Sequence, residues 1–380
     1  MRVLFTTAPL HGHLTPLVPL AWACRASGHE VLLATSAHFV DAALRTGLPA
    51  TATGPGLDVR ELGDPAASHG IADARHEHGV VFGRMAARNL AGALALVDAW
   101  RPDLVFAERA EFAGPIAAAA RGVPHADLRW GVAELREYEE GATTVLDAER
   151  ARLGLADVPA PKASFNPWPP SLRLPHADGH RSIRHVPYDG LAHLPEWVLA
   201  PAGRGRICLT LGTVLPHLAT TGLTRMLTGI IEGLATLGRE IVVAMDEEHA
   251  GRLGALPTAV RHLGRVPLSA LLPTCELFIH HGGQGSALTA LAAGCPQVAL
   301  PMFDDQFENA DAVARAGVGY AVPLHRTDPD EVTGLCRRAL ADPRLARCGS
   351  LVSDEISRQP SPVEVVGELE ALVGRGPSGR

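Results

Sequence analysis

A chain of 380 residues exceeds one ordinary domain, and at roughly 100 to 200 residues per domain it is expected to fold as two. Hydrophobic residues at 47% and charged residues at 20% exclude a disordered chain, which lacks the apolar content to bury a core. With 34 Lys and Arg against 41 Asp and Glu, the net charge of −7 argues against nucleic acid or an anionic membrane as the main partner and points to a small ligand.

The first half opens with VLFTT (3–7), a Pro/Gly/His loop and the helix-like PLVPLAWACRASG closed by Gly28, followed by HEVLLATS (29–36). Strand, helix, strand at this spacing is a βαβ unit, which requires a parallel sheet. The rhythm returns in DLVFAE (103–108), a helix over 112–121 and VPHADL (123–128), with one long helix expected over 75–99. Residues 155–205 are rich in proline, and the interdomain region is placed late in this stretch, near 186–204. A second series follows: RICLTLG (206–212), a helix over 221–237, EIVVAM (240–245), AVRHLG (259–264), ELFIHH (276–281), PQVALP (296–301) and VGYAVP (318–323). Continuous apolar runs of this kind suit parallel strands covered by helices on both faces. The expected fold is therefore α/β, with two Rossmann-like, doubly wound domains facing a cleft at the carboxyl ends of their strands. The boundaries are set at 1–195, 196–358 and a C-terminal helix and tail over 359–380. Six scattered cysteines without a C-x-x-C pair read as reduced thiols, no apolar run reaches the ~18 to 20 residues of a membrane span, and a cytoplasmic protein is expected.

The most informative segment runs from 276 to 319. A strand ends at His280 and His281, a glycine loop (Gly282, Gly283, Gly285) follows, and Ser286 is read as opening an Ala/Leu-rich helix. Glycines let backbone N–H groups approach an anion, and a helix N-terminus adds about half a positive charge. Ser286 is expected to cap the helix or donate to phosphate, and His281 to give a charge-assisted bond. One strand further on stand Asp304, Asp305 and Gln306. A carboxylate beside an amide can accept from and donate to vicinal hydroxyls, as a sugar presents them; Asp304 also reads as a helix N-cap. A phosphate cradle and a hydroxyl reader on neighbouring strand ends suggest a nucleotide sugar.

The pattern H-x-G-x-x-S, G-x-P, P-x-x-x-D-Q-x-x-N-A is present as His281, Gly283, Ser286, Gly294, Pro296, Pro301, Asp305, Gln306, Asn309 and Ala310. In it the chain resembles the UDP-glycosyltransferase-like superfamily with the GT-B fold, and especially bacterial glycosyltransferases that attach deoxysugars to antibiotic and polyketide aglycones. The resemblance implies that His281, Gly282, Gly283, Gly285 and Ser286 hold the diphosphate, with Gly212 and Thr213 nearby, and that Asp305 and Gln306 face the sugar. It further implies that backbone groups at Val266 contact the base. Plant members carry a Glu where this chain has Thr289; loss of that ribose-hydroxyl acceptor fits a 2′-deoxynucleotide such as dTDP. Gln284 stands where a small residue is common in the superfamily.

His11 and His13 lie in the loop after the first strand, at its carboxyl end. An imidazole can remove the proton of an acceptor hydroxyl, a role worth ~10²–10⁴ in rate. By the resemblance, His13 in H-x-x-P-L is the catalytic base and His11 a neighbour. Glu108 stands where the superfamily places the acidic residue that orients it, with Glu111 as the fallback. The reaction expected is an inverting displacement in which the acceptor oxygen attacks the anomeric carbon and nucleoside diphosphate leaves. No Asp-x-Asp motif is set to hold a metal, so no cofactor is expected and the dTDP-sugar is a co-substrate. The alternatives are transfer to carbon or nitrogen of an aromatic aglycone, a nucleotide-sugar 2-epimerase and a non-catalytic sugar-nucleotide binding protein. Phe82, Met85 and Trp130 are expected to line an apolar acceptor pocket, with the variable loop 54–80 beside it. His69, His76 and His78 read as solvated loop residues. Expected partners are a nucleotide sugar and a hydrophobic aglycone, with neither nucleic acid nor membrane; the oligomeric state is left open, a homodimer being one option.

Overall fold

The computed structural model describes residues 1–56, 70–158, 160–191, 193–200, 202–212, 221–246 and 250–374. Thr213 and His69 lie outside the described residues. The first domain contributes β1 (Arg2–Thr6), β2 (Glu30–Ser36), β3 (Ala50–Gly54), β4 (Leu104–Glu108), β5 (His125–Leu128), β6 (Ser164–Asn166) and β7 (Arg181–Ser182). The second contributes β8 (Arg206–Thr210), β9 (Glu240–Ala244), β10 (Val260–Gly264), β11 (Leu277–His280), β12 (Gln297–Ala299) and β13 (Gly319–Ala321). The strand orders are β3-β2-β1-β4-β5-β6-β7 and β10-β9-β8-β11-β12-β13, and the pairings are parallel.

Successive side chains of a strand point to opposite faces, and each sheet uses both. Val3 and Phe5 join one core with the helix Val18–Ala26, while Leu4 joins another beneath the helices Ile71–Trp100 and Ala113–Arg121. In the second sheet Ile207 and Leu209 lie in one core and Cys208 in the other. The helix Ile71–Trp100 is long and apolar enough to cross a membrane, but 50% of its most apolar stretch is buried inside the protein. The helix Pro362–Leu372 inserts Val365, Val366 and Leu369 into the core of the first domain.

In each sheet the strand order reverses beside the strand that opens the domain, and ligands of open α/β sheets bind at such switch points. In the first sheet this is the β1/β4 boundary, where Thr6 pairs with Ala107. In the second it is the β8/β11 boundary, where Thr210 pairs with His280. These registers bring the loop after β1 beside Glu108, and Gly212 beside His281.

Among the elements beyond the sequence reading are three strands and the helix Arg136–Arg152. β3, β6 and β7 are short and lack the apolar runs by which the other strands were recognised. The helix Arg136–Arg152 is strongly polar and buries only Tyr138, Gly141, Ala142 and Leu146, so its apolar periodicity is faint.

Candidate active site

β1 ends in a turn that leads into the short helix His11–Leu14, and β4 ends at Glu108. His13 Nδ1 lies 3.0 Å from Glu108 Oε1. The carboxylate is fully buried and also accepts from Ala8 N–H at 3.1 Å, Ala110 N–H at 2.9 Å and the Trp130 indole N–H at 2.6 Å. Burial alone would raise the Glu108 carboxyl; the facing His13, with the Ala110 and Trp130 donors, reverses this and holds it below the ordinary carboxylate value. An anionic partner at Nδ1 fixes the tautomer and leaves Nε2 as the ring atom able to accept a proton. The ring is held between Phe82, 5.4 Å between centroids, and the edge of Trp130, 4.9 Å away. His11 is exposed, with its ring against Phe39.

Glu111 does not orient His13. Its carboxylate accepts from Ala113 N–H at 2.9 Å and Gly114 N–H at 3.0 Å at the start of the helix Ala113–Arg121. Burial raises this carboxyl to about 7, with the neighbouring Glu108 charge adding to the effect. The folded chain therefore keeps the proton up to about 7, whereas the unfolded group releases it near 4.5. The native form binds more protons between these values, so stability falls as pH rises through that window. Thermal melts from pH 5 to 8 are expected to show this fall in the wild type and a flatter profile in Glu111→Gln; identical profiles would place its origin elsewhere.

The donor side is built on the turn after β11. His280 is buried and structural: its Nδ1 accepts the Gly282 N–H at 3.0 Å, so its Nε2 donates to Gln297 Oε1 at 2.8 Å. His281 is the member of the pair presented to the cleft. Its ring is flanked by two glycines, since a Cβ on Gly212 would lie 2.4 Å from Cε1 and one on Gly283 would lie 2.4 Å from Nε2. Among the described residues its buried Nδ1 has no hydrogen-bond partner, and burial pushes the ring down to about 4. His281 by itself is therefore neutral at pH 7, so a charge-assisted bond from its N–H to phosphate would draw on the charge of the anion and not of the ring.

The helix begins earlier than expected, at Gln284, with Gly283 as its N-cap. Ser286 is its third residue and caps nothing, which corrects that reading. The first intrahelical donor is Ala287, whose N–H meets Gly283 O at 3.0 Å. The N–H groups of Gln284, Gly285 and Ser286 therefore have no partner within the helix, and helix termini of this kind suit an anion. Val266 is buried in an apolar cluster with Val198, Leu271 and Phe278, so its side chain is committed to the core.

Asp305, not Asp304, occupies the N-cap position of the helix Gln306–Arg315. The Asp305 Oδ2 accepts from Asn309 Nδ2 at 2.6 Å, and burial raises the carboxyl to about 6. Gln306 turns its amide oxygen onto Met302 N–H at 3.0 Å, leaving the amide NH₂ as the group able to meet a hydroxyl. Asp304 has φ 52, left-handed for a residue with a side chain, and bonds across the cleft to His78 Nδ1 at 2.9 Å. Arg75 adds bonds of 2.6 Å to Asp304 O and to Glu308 Oε2. His78 is thus buried on the helix Ile71–Trp100, a correction to its reading as a solvated loop residue. Thr289 is also occupied, donating to Gly285 O at 2.6 Å with His185 Nε2 at 3.1 Å.

Phe82, Met85 and Trp130 are brought together in one apolar cluster with Leu10, Leu135 and Tyr138. They are buried to 3%, 6% and 7% exposure, so they form the packed wall beside His13 more than an open surface. Sequence reasoning missed the cross-cleft partners Arg75, His78 and Gln284. Gln284 carried the one available signal, a large amide where a small residue is common.

Two parallel α/β sheets, with a His–carboxylate pair at one switch point and a helix N-terminus with open N–H groups at the other, are the arrangement of a GT-B glycosyltransferase. The chain belongs to the erythromycin biosynthesis protein CIII-like family, whose N-terminal domain matches residues 22–212 and C-terminal domain residues 228–372. It is 40% identical over 377 residues, 98% of each chain, to L-demethylnoviosyl transferase of Streptomyces niveus. It is similar in structure to the glycosyltransferase SsfS6 of Streptomyces sp. SF2575 complexed with thymidine diphosphate, with TM-score 0.86, 33% identity and coverage of 98% and 99% of the two chains. The spinosyn rhamnosyltransferase SpnG complexed with spinosyn aglycone superposes with TM-score 0.88 at 31% identity over 97% of this chain and 100% of that one. The chain is a glycosyltransferase, and these relatives are named as transferases, not as 2-epimerases.

Proposed function

We propose that this glycosyltransferase moves a deoxysugar from a dTDP-sugar to a hydroxyl of a polyketide-type aglycone, with inversion and without a metal ion. The observation that carries the reading is the His13–Glu108 pair at 3.0 Å, an oriented base on the acceptor side of the cleft. His13 Nε2 takes the proton of the acceptor hydroxyl as that oxygen bonds to the anomeric carbon. The bond from that carbon to the diphosphate breaks on the opposite face, which inverts the centre. The departing charge meets the N–H groups of Gln284, Gly285 and Ser286, with His281 beside them, so the stabilising donors are in place before the reaction begins. Thymidine diphosphate in SsfS6 supports the nucleotide, and spinosyn aglycone in SpnG supports the acceptor class.

The test is turnover of purified protein with dTDP-deoxysugars and a panel of aromatic and macrolide aglycones, resolved by mass with and without EDTA. A new glycoside of unchanged yield in EDTA, with its anomeric configuration opposite to the donor by NMR, is the expected result. A carbon- or nitrogen-linked product, retained configuration or loss of activity in EDTA would each remove the corresponding part of the proposal.

A further inference from the structure

The segment Trp130–Gly131–Val132 touches both halves of the site. On its own domain the Trp130 indole N–H donates to Glu108 Oε2 at 2.6 Å. Arg109, the residue after Glu108, donates to Trp130 O at 2.9 Å, to Ala133 O at 2.8 Å and to Glu134 O, strapping the loop to the end of β4. Across the cleft, Gly131 N–H donates to Gln284 Oε1 at 2.6 Å and Val132 N–H to Asn309 Oδ1 at 2.8 Å. Gln284 is the first residue of the anion-binding helix, and its Oε1 also accepts from the Trp168 indole at 3.1 Å. Asn309 holds the other side of the same turn, donating to Gly282 O at 3.0 Å. Gly131 has φ 78, and a Cβ there would lie 2.8 Å from Asp305 Oδ2, so the segment passes where only glycine fits.

We propose that Trp130 is a positioning residue, and that its loop couples the seating of the donor helix to the orientation of the His13–Glu108 pair through the Gln284 and Asn309 side chains. A path runs from the helix start at Gln284 by its hydrogen bond to Gly131, along the covalent backbone to Trp130 and by the indole bond to Glu108, whose other oxygen lies 3.0 Å from His13 Nδ1. A shift of the donor turn on binding diphosphate pulls on Gly131 and Val132, and the adjacent indole transmits it to the carboxylate. The proposal rests on His13 acting as the base, but its first test does not require turnover.

In the full-length protein, the Trp130 indole N–H resonance, assigned by its loss in Trp130→Phe, is expected to move on titration with thymidine diphosphate. In Gln284→Ala the movement is expected to shrink, with the Asn309 route left in place, although thymidine diphosphate still binds and the melting profile shows a folded protein. An indole signal that ignores the nucleotide in the wild type, or responds equally in Gln284→Ala, overturns the coupling whether or not glycosyl transfer is found. With an active donor and acceptor, Trp130→Phe keeps the ring but loses the donor to Glu108, and kcat is expected to fall about tenfold with donor KM unchanged. A rise in KM at constant kcat would make Trp130 an acceptor contact instead. The double variant Trp130→Phe, Gln284→Ala is expected to lose less than the product of the single losses, since both break one path; strictly multiplicative losses count against the proposal.

Discussion

His13→Ala is expected to lower kcat by about 10²–10⁴, the range a positioned general base supplies, while thymidine diphosphate binds as in the wild type. The geometry makes this separation sharp. His13 belongs to the first domain and faces Glu108, whereas the proposed anion site comprises Gly212, His281 and the start of the helix at Gln284. Removal of the ring leaves Glu108 with three donors, Ala8, Ala110 and Trp130, so its negative charge remains bonded and the fold is expected to persist. Single-turnover rates and nucleotide titrations on the same preparation check both halves. Activity within threefold of the wild type would assign the base to another residue.

The second large effect is expected at the glycine turn. Gly282 has φ 86, and a Cβ there would lie 2.7 Å from the backbone oxygen of Gln306, an atom that cannot move aside cheaply. A left-handed conformation alone costs a residue with a side chain about 1–2 kcal/mol. Gly282→Ala is therefore expected to lower the melting temperature by several degrees and to weaken thymidine diphosphate binding by at least tenfold, because the turn carries His281 and Gly283 into place. Gly285→Ala is the informative contrast. A Cβ at Gly285 meets nothing within 4 Å among the described residues, so the protein should melt as the wild type does. Weakened nucleotide binding at unchanged stability would show that the ligand itself comes close to Gly285. Calorimetry and nucleotide titration of the two variants side by side decide between a turn that needs glycine for its fold and one that needs it for its ligand.

The parts legible in the sequence share one physical property, that the signal lies within a contiguous run. Apolar runs such as LVFAE and EIVVA are buried on both faces, and β4 and β9 fall where they stand. The donor turn was legible because His281, the glycines and the helix it opens are consecutive. Glu108 could be assigned to His13 only through the resemblance, because the two residues meet by strand pairing across the switch point. Interactions between domains left no local trace apart from the large amide at Gln284. Arg75 and His78 are distant in the chain from Asp304, and a His on a polar helix turn looks the same whether it faces water or a carboxylate. Ser286 misled because a Ser near a helix start usually caps it; here the preceding glycines let the helix begin two residues sooner. Small strands such as ATATG at the sheet edge, with no large apolar side chain, carried no pattern to read.

The helix Pro362–Leu372 has a consequence for dividing the molecule. Ser361 and Glu364 form a capping box that starts this helix just after the last helix of the second domain, and Val365, Val366 and Leu369 then fill a first-domain core. Arg181–Glu368 and His29–Glu370 contacts add polar anchors to the same body. The first domain is discontinuous in sequence, and the second is an insertion joined to it by two covalent crossings, one on each side. A chimera that exchanges nucleotide-sugar specificity between relatives has to be cut at both crossings, keeping residues 362–372 with the N-terminal parent. A single-crossover hybrid inherits a foreign helix in the acceptor half, and its failure would report on core mismatch instead of substrate choice.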